Sequence, residues 1–212
     1  MKLLAVNVSL PRTVSINGRT YSTGIYKSAV AGPVPLKRLN LAGDGQGDRK
    51  NHGGEYQAVY CYPQEHYIYW AEQLARVDFQ FGQFGENFTT QELLENEVCV
   101  GDTFRISEAV IQVTQPRVPC YKLADKLGLP GFEATFLRAN RSGFYARVLV
   151  EGTVEAGDPI ALISKDPIGM TVAEVNAALY LDKGAIAAER ALQIEALSPG
   201  WKRSFEKLLA KA

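Results

Sequence analysis

The residue best suited to chemistry is Cys120, within residues 114–122 (TQPRVPCYK). Two prolines stiffen the chain before it, and Arg117 and Lys122 place positive charge on both sides. Since nearby cations favour a thiolate and helical spacing begins after the cysteine, the pattern is typical of a nucleophile or a soft-metal ligand. The alternative is a small buried hydrophobe, which is the more common role of a cysteine outside a disulfide.

The other two cysteines, Cys61 and Cys99, lie in apolar, strand-like contexts, so we expect both to be buried. Three cysteines are a poor disulfide framework, and no C-x-x-C pair suggests a zinc site. The first residues turn polar too early for a signal peptide, and no apolar run is long enough to span a membrane. These features predict a cytoplasmic protein with reduced thiols.

A glycine-rich loop at residues 43–55 (GDGQGDRKNHGGE) is a second candidate site. Basic side chains can donate charge-assisted hydrogen bonds, and glycines let backbone N–H groups approach a ligand closely. These features favour an anion-binding loop built from Arg49, Lys50, His52, Gly53 and Gly54. A solvated turn is the alternative, because Gly, Asp and Asn are ordinary turn residues.

Two other ligands fit this loop less well. The glycine spacing does not match a dinucleotide-binding fingerprint. Oxygen-bearing side chains occupy the ligand offsets of a calcium loop at Asp44, Gln46, Asp48 and Glu55. However, Arg49 stands where that loop requires glycine, and two further basic residues follow. We therefore expect an anion rather than calcium.

Two more segments carry polar residues that could line a site. In residues 81–88, Glu86 and Asn87 could position a ligand, or the segment could be a turn that packs its phenylalanines into the core. Arg147 alternates with apolar neighbours on a predicted strand, so it could point into a polar barrel interior or be exposed.

Common nucleophile motifs are absent from the sequence, which has neither a G-x-S-x-G elbow nor a P-loop. Of the two histidines that could pair with Cys120, His66 is expected on the surface of an amphipathic helix, which leaves His52. Lys and Arg together number 23, as do Asp and Glu. The chain therefore lacks the basic excess that is typical of nucleic-acid-binding proteins.

Short strands must position these residues. Strand patterns occur at residues 2–8, 58–62, 98–106, 110–114, 143–150 and 161–163. One helix is expected to start with Pro63 at its first position, and helical spacing over 121–138 breaks at 128–131. Strands this short favour a closed or nearly closed β-barrel over a doubly wound parallel sheet.

The pattern becomes helical near the C-terminus. A capping box at Thr171 opens one helix, a second follows, and Ser198 with Pro199 opens the last. We therefore predict a barrel over residues 1–165 and a three-helix unit over 166–212, packed on the barrel because so small a unit has little core. These helices contain no Cys or His, so we expect a docking role, with the basic last helix facing an acidic redox partner or simply solvent.

Six segments, in the order in which the family has them, resemble the MOSC family, which is named for the C-terminal domain of molybdenum-cofactor sulfurases. They are GDRKNHGG (47–54), QAVY (57–60), GQFGENF (82–88), VGD (100–102), QPRVPC (115–120) and GFYAR (143–147). The terminal helices resemble the three-helix appendage of YiiM-like members. The resemblance implies a mainly β (α+β) fold, a β-barrel-like domain with a small C-terminal three-helix bundle.

The resemblance also implies a pocket for molybdenum cofactor (molybdopterin), with Cys120 as the molybdenum ligand or, in a sulfur carrier, as a persulfide. The residues expected to bind the cofactor are Arg49, His52, Gly53, Gly54, Asn87, Arg117 and Arg147. Basic side chains suit its phosphate, and a thiolate suits its metal.

The activity that the resemblance implies is reduction of N-hydroxylated compounds, such as hydroxylaminopurine bases. The alternative is a cofactor or sulfur carrier that uses a Cys120 persulfide. Because no flavin, iron–sulfur or pyridoxal-phosphate module precedes the MOSC-like region, we expect a separate electron-donor protein. The expected partners are this donor and a small-molecule substrate, with no nucleic acid and no membrane.

Overall fold

The structure is a computed structural model that describes residues 1–16, 18–47 and 53–211 of the 212-residue chain. Twelve strands lie within these residues: β1 (Lys2–Val8), β2 (Arg12–Ile16), β3 (Arg19–Thr23), β4 (Ser28–Val30), β5 (Val34–Leu36), β6 (Val59–Pro63), β7 (Phe88–Gln91), β8 (Thr103–Ile106), β9 (Ala109–Pro116), β10 (Phe144–Val150), β11 (Gly152–Val154) and β12 (Ile160–Ser164). The same residues form six α-helices: α1 (Glu65–Leu74), α2 (Tyr121–Leu127), α3 (Phe132–Arg138), α4 (Val172–Tyr180), α5 (Ala185–Leu192) and α6 (Pro199–Leu209).

Eight strands form one sheet in the order β12-β8-β9-β10-β6-β7-β1-β4. Its pairs are antiparallel except for β6 with β7, which is parallel. The start of β1 meets the start of β12, because Leu3 N donates to Asp158 O at 3.0 Å and Ile160 N donates to Met1 O at 3.1 Å. The prediction of a sheet-dominated α+β fold is confirmed, and these bonds curl the sheet towards closure.

Two local predictions were wrong. Pro63 ends β6 opposite Thr90, and α1 begins two residues later at Glu65. The strand expected over 98–106 begins only at Thr103, because the Asp102 carboxylate accepts a hydrogen bond from Cys99 N at 3.0 Å and forms a turn. The predicted strands at 2–8, 110–114 and 143–150 correspond to β1, β9 and β10.

The terminal helices share the core of the sheet. Val175 of α4 and Phe205 of α6 are fully buried in the same apolar cluster as Ile111 of β9. Burying a side chain of this size stabilises a protein by roughly 1.5–3 kcal/mol, so the helices are held firmly against the sheet. The division at residues 165 and 166 stays a prediction. No helix in the described part of the chain is long and apolar enough to cross a bilayer.

Candidate functional site

Cys120 lies between β9 and α2, as the N-cap residue of that helix. β9 ends at Pro116, since proline cannot donate a ladder hydrogen bond. Arg117 N then donates to Gly143 O at 3.0 Å, which holds the segment beside β10, and Leu123 N donates to Cys120 O at 2.9 Å as the helix begins. The half-buried Cys120 lines two adjoining cavities. The anion cleft is the one that Lys27, Asp44, Arg117 and Lys122 also line. The outer cleft is the one that Tyr56, Gln115 and Trp201 also line.

The anion cleft has a thin wall made of glycine-rich backbone. A Cβ added at Gly24 would lie 2.3 Å from Gly45 O, and one at Gly47 would lie 2.6 Å from the Ser22 backbone. No side chain fits between such segments, so the main chain itself lines the cleft here. Gly53, from the loop predicted to bind an anion, lines both clefts.

The charged lining of the anion cleft is mainly positive. Asp44 pairs with the buried Lys27 and accepts hydrogen bonds from Ser9 N and Asn87 Nδ2, both at 2.9 Å. Burial lowers the pKa of Lys27, although the Asp44 carboxylate opposes this effect. Arg117 and Lys122 also line the cleft, and neither has an ion pair with a described residue.

Arg117 is the strongest indication of an anionic ligand. The residue is 4% exposed, and its guanidinium carbon lies 5.1 Å from the centre of the Tyr60 ring. Its buried Nη1 has no hydrogen-bond partner among the described residues. Burial alone would lower the pKa of Arg117, but interactions with Tyr60, Tyr145 and Cys120 outweigh it and raise the pKa. A buried cation with an open donor fits a bound anion, because such groups are otherwise costly.

Asn87, which was predicted to bind the cofactor, lines the anion cleft, but its polar atoms bind protein. Its Oδ1 accepts from Tyr60 N at 3.1 Å, while Nδ2 donates to Asp44. The neighbouring Glu86 is fully buried and accepts from Gly82 N at 2.8 Å and Phe84 N at 3.1 Å. Segment 81–88 therefore scaffolds the cleft, and direct cofactor binding by Asn87 stays a prediction.

Arg147 is not among the residues that line the anion cleft. Its Nε and Nη2 donate to Gln112 Oε1 at 2.9 and 2.6 Å, and its guanidinium carbon lies 5.6 Å from the centre of the Tyr56 ring. Arg49 and His52 lie outside the described residues. Of the four cations predicted to converge, the structure thus places Arg117 at the cleft and Arg147 elsewhere, and a cofactor-binding role for Arg147 stays a prediction.

Two lysines of the cleft were not among the predicted cofactor-binding residues. Lys122 is only two positions after Cys120, so its proximity was visible in the sequence. Lys27 lies in a segment without a motif, and only the fold brings it to Asp44. No local signal could have identified Lys27.

The outer cleft is formed jointly by the barrel and the last helix. Its volume is about 630 Å³, within the usual range for small-molecule sites. Tyr56, Gln115 and Cys120 line it together with residues from the first turn of α6. Gly54 contributes at φ 84°, a conformation that favours glycine. A molecule in this cleft would therefore meet Cys120 from the side of the terminal helices.

Expectations for the other thiols and for His66 had mixed outcomes. Cys61 is fully buried, as predicted, and burial raises the pKa of its thiol. Cys99 is half-buried in a turn rather than buried in a strand, and burial also raises its pKa. The surface placement of His66 was wrong: it is 2% exposed because Glu95, 29 residues away in the chain, supplies a buried partner.

The residues offer little support for a calcium loop. Asp44 is engaged by Lys27, and Glu55 pairs with Arg38 at 2.9 Å. Among the described residues, no group of three or more His, Cys, Asp or Glu side chains could hold a metal. A metal bound at Cys120 would thus need ligands beyond these side chains, as an organic cofactor provides. The thiol, the open guanidinium and the glycine-lined wall together fit such a group.

Family models match two parts of the chain: the MOSC domain at residues 48–161 and the YiiM-like 3-alpha helix domain at residues 170–212. The Bacillus subtilis protein YflK is 44% identical over 97% of this chain and 93% of its own length. The crystal structure of YiiM from Geobacillus stearothermophilus superposes with a TM-score of 0.84 and 36% identity, covering 98% of both chains. A longer Gibberella moniliformis protein named Reductase is 33% identical over 70% of this chain and 27% of its own.

Proposed function

The chain belongs to the MOSC domain family, and on that premise we propose that it is a molybdenum-cofactor-dependent reductase of N-hydroxylated compounds, with Cys120 as the metal ligand. One observation carries the proposal: Cys120 lines a cationic cleft and a second cleft of small-molecule size at once. One thiol can therefore serve a bound cofactor on one side and a substrate on the other.

The anion cleft, with a volume of about 110 Å³, would hold the anionic phosphate end of the cofactor. The open Nη1 of Arg117 and the ammonium of Lys122 suit its anionic phosphate, and the backbone of Gly53 can approach it closely. The Cys120 thiolate is a soft ligand for the metal. Bound there, the cofactor supplies a two-electron redox centre, whereas the protein supplies orientation and charge.

The outer cleft would hold the substrate. Two electrons and two protons convert R–NHOH into R–NH₂ and water, and a separate electron-donor protein would supply the electrons. Tyr145 lines both clefts, and burial raises the pKa of its phenol, so the hydroxyl keeps its proton at neutral pH. This hydroxyl can donate a hydrogen bond to an oxygen atom brought to the junction of the clefts.

A cofactor or sulfur carrier is the second candidate, since a Cys120 persulfide could occupy the same position. The outer cleft favours the reductase over the carrier, because a carrier does not need a substrate cleft beside its cofactor or persulfide. The full chain should be produced in a host that makes the cofactor, and its molybdenum and pterin should be measured. Turnover of a hydroxylaminopurine should then be followed with a chemical reductant, with Cys120→Ser as the control.

Retained metal with turnover that requires Cys120 is the expected result. A Cys120 persulfide on protein that retains no molybdenum would instead identify a carrier. Stoichiometric molybdenum without reduction of any N-hydroxylated compound would contradict the reductase proposal.

A further inference from the structure

The first turn of α6 lies at the candidate site, although the sequence predicted only a docking role for the terminal helices. Ser198, Gly200, Trp201 and Arg203 line the outer cleft, which Cys120 also lines. No other part of the three-helix unit is among the lining residues of either cleft within the described chain. The helices therefore contribute a wall at one defined place.

This wall is firmly anchored to the barrel. Ser198 N donates to Thr114 O of β9 at 3.4 Å, and the Ser198 side chain caps α6 by accepting from Trp201 N. Trp201 and Phe205 are 5% and 0% exposed and belong to the main apolar cluster. Because the helix start is capped and its aromatic residues are packed, the wall keeps its position relative to Cys120.

We propose that the first turn of α6 is the substrate-selecting wall of the outer cleft, limiting the size of the molecule that reaches Cys120. This rests on the proposed function, whose substrate site it defines. The cleft suits planar, polar ring compounds: the half-buried Tyr56 offers aromatic surface, and Gln115 offers an amide. Among the described residues, the charged side chains that line it are Glu55 and Arg203, which are of opposite sign.

Gly200 is the position from which the wall can be tested. A Cβ there would have Ser198 Oγ at 3.9 Å as its nearest neighbour, which is an ordinary contact, and the residue is exposed. Replacing a helical glycine also reduces the conformational entropy of the unfolded chain. A side chain can therefore start from this position without a clash at Cβ, and we expect the ring of Gly200→Phe to narrow the cleft.

The first measurement needs no cofactor. Alkylation of Cys120 in the full chain is followed by peptide mass spectrometry, with iodoacetamide as a small reagent and N-pyrenylmaleimide as a bulky one. Gly200→Phe should slow the bulky reagent about tenfold and iodoacetamide less than about twofold. The matched control is Lys207→Phe, which places the same side chain on an exposed part of α6 outside the cleft lining and should change neither rate.

The second measurement uses the metal-loaded protein with hydroxylamine and 6-hydroxylaminopurine as small and large substrates. Gly200→Phe should lower kcat/KM for the purine about tenfold relative to hydroxylamine, and Lys207→Phe should leave the ratio unchanged. The proposal that the first turn of α6 selects the substrate is wrong if Gly200→Phe leaves the ratio of the two kcat/KM values unchanged. It is also wrong if Gly200→Phe and Lys207→Phe are alkylated at equal rates. If wild-type protein binds metal but reduces neither compound, the proposed function is wrong. The alkylation test then still shows whether the first turn of α6 limits the access of large molecules to Cys120.

Discussion

His66 and Glu95 form a buried pair in which Nε2 and Oε2 are 2.5 Å apart, and the other oxygen of Glu95 accepts a hydrogen bond from Gly143 N at 2.5 Å. The Gly143 carbonyl accepts in turn from Arg117 N at 3.0 Å. A chain of contacts thus runs from α1 to the backbone of the arginine in the anion cleft. Glu95 therefore supports the position of Arg117 from behind the cleft.

Removing the Glu95 carboxylate should destabilise the protein strongly. Glu95→Ala leaves both His66 and Gly143 N without their buried partner, so the free energy of unfolding should fall by about 3–5 kcal/mol. Glu95→Gln retains an acceptor for Gly143 and should lose less. Urea unfolding measures both, with the exposed Glu72→Ala on α1 as a control expected within about 0.5 kcal/mol of wild type. A loss of less than about 1 kcal/mol in the free energy of unfolding of Glu95→Ala would show that this pair contributes little to stability.

Cys120 should be the first thiol to react with limiting iodoacetamide. Cys61 is fully buried and Cys99 is half-buried, and burial raises the pKa of both thiols. Peptide mass spectrometry ranks the three sites directly. Preferential labelling of Cys61 or Cys99 would contradict the proposed position of Cys120 at the junction of two clefts.

Replacing Cys120 by serine should abolish turnover and leave the fold intact. A hydroxyl is a harder and far less acidic ligand than a thiol, but the change is nearly isosteric at a cleft-lining position. The free energy of unfolding should stay within about 0.5 kcal/mol of wild type. Reductase assays of metal-loaded protein and urea unfolding measure the two effects, and full activity in Cys120→Ser would refute metal ligation by this thiol.

Arg117→Met should weaken the site and cost some stability. Interactions with Tyr60, Tyr145 and Cys120 raise the pKa of the guanidinium despite its burial, so the folded state favours the cation and loses these interactions in the variant. We expect a loss of about 1–2 kcal/mol in urea unfolding, together with lower molybdenum content per chain because the open Nη1 donor is gone. Cys120 should also react more slowly with iodoacetamide at pH 7, because the nearby cation is gone. Unchanged molybdenum content in Arg117→Met would contradict the role of Arg117 in cofactor binding.

Lys126 should make stability depend on alkaline pH. Burial lowers its pKa in the folded protein to about 8, and its ammonium donates to Ile25 O and Gly82 O at 3.0 and 2.7 Å. The unfolded chain keeps this proton up to about pH 10.4, so between these values it binds more protons than the folded state. The free energy of unfolding should therefore rise with pH in this window, by on the order of 3 kcal/mol relative to Lys126→Met. Parallel pH profiles of the two proteins would exclude the shift.

Local signals in the sequence determined the helix boundaries near the C-terminus and the candidate nucleophile. The capping box at Thr171 and the cap at Ser198 formed as predicted, and the break in helical spacing at 128–131 separates α2 from α3. Each signal joins residues within about four positions, so a local pattern can carry it. Cys120 was identified in the same way, from prolines and cations beside it.

Only the tertiary structure decided which distant residues meet at the candidate site and behind it. Lys27 pairs with Asp44, His66 with Glu95, and the first turn of α6 lines a cleft with Cys120, about eighty positions earlier in the chain. The pairing of β9 with β10 also brings Arg147 to Gln112, to which its guanidinium donates hydrogen bonds. Strand order and helix packing set these contacts, and neither follows from local periodicity, because the same alternation fits many pairings.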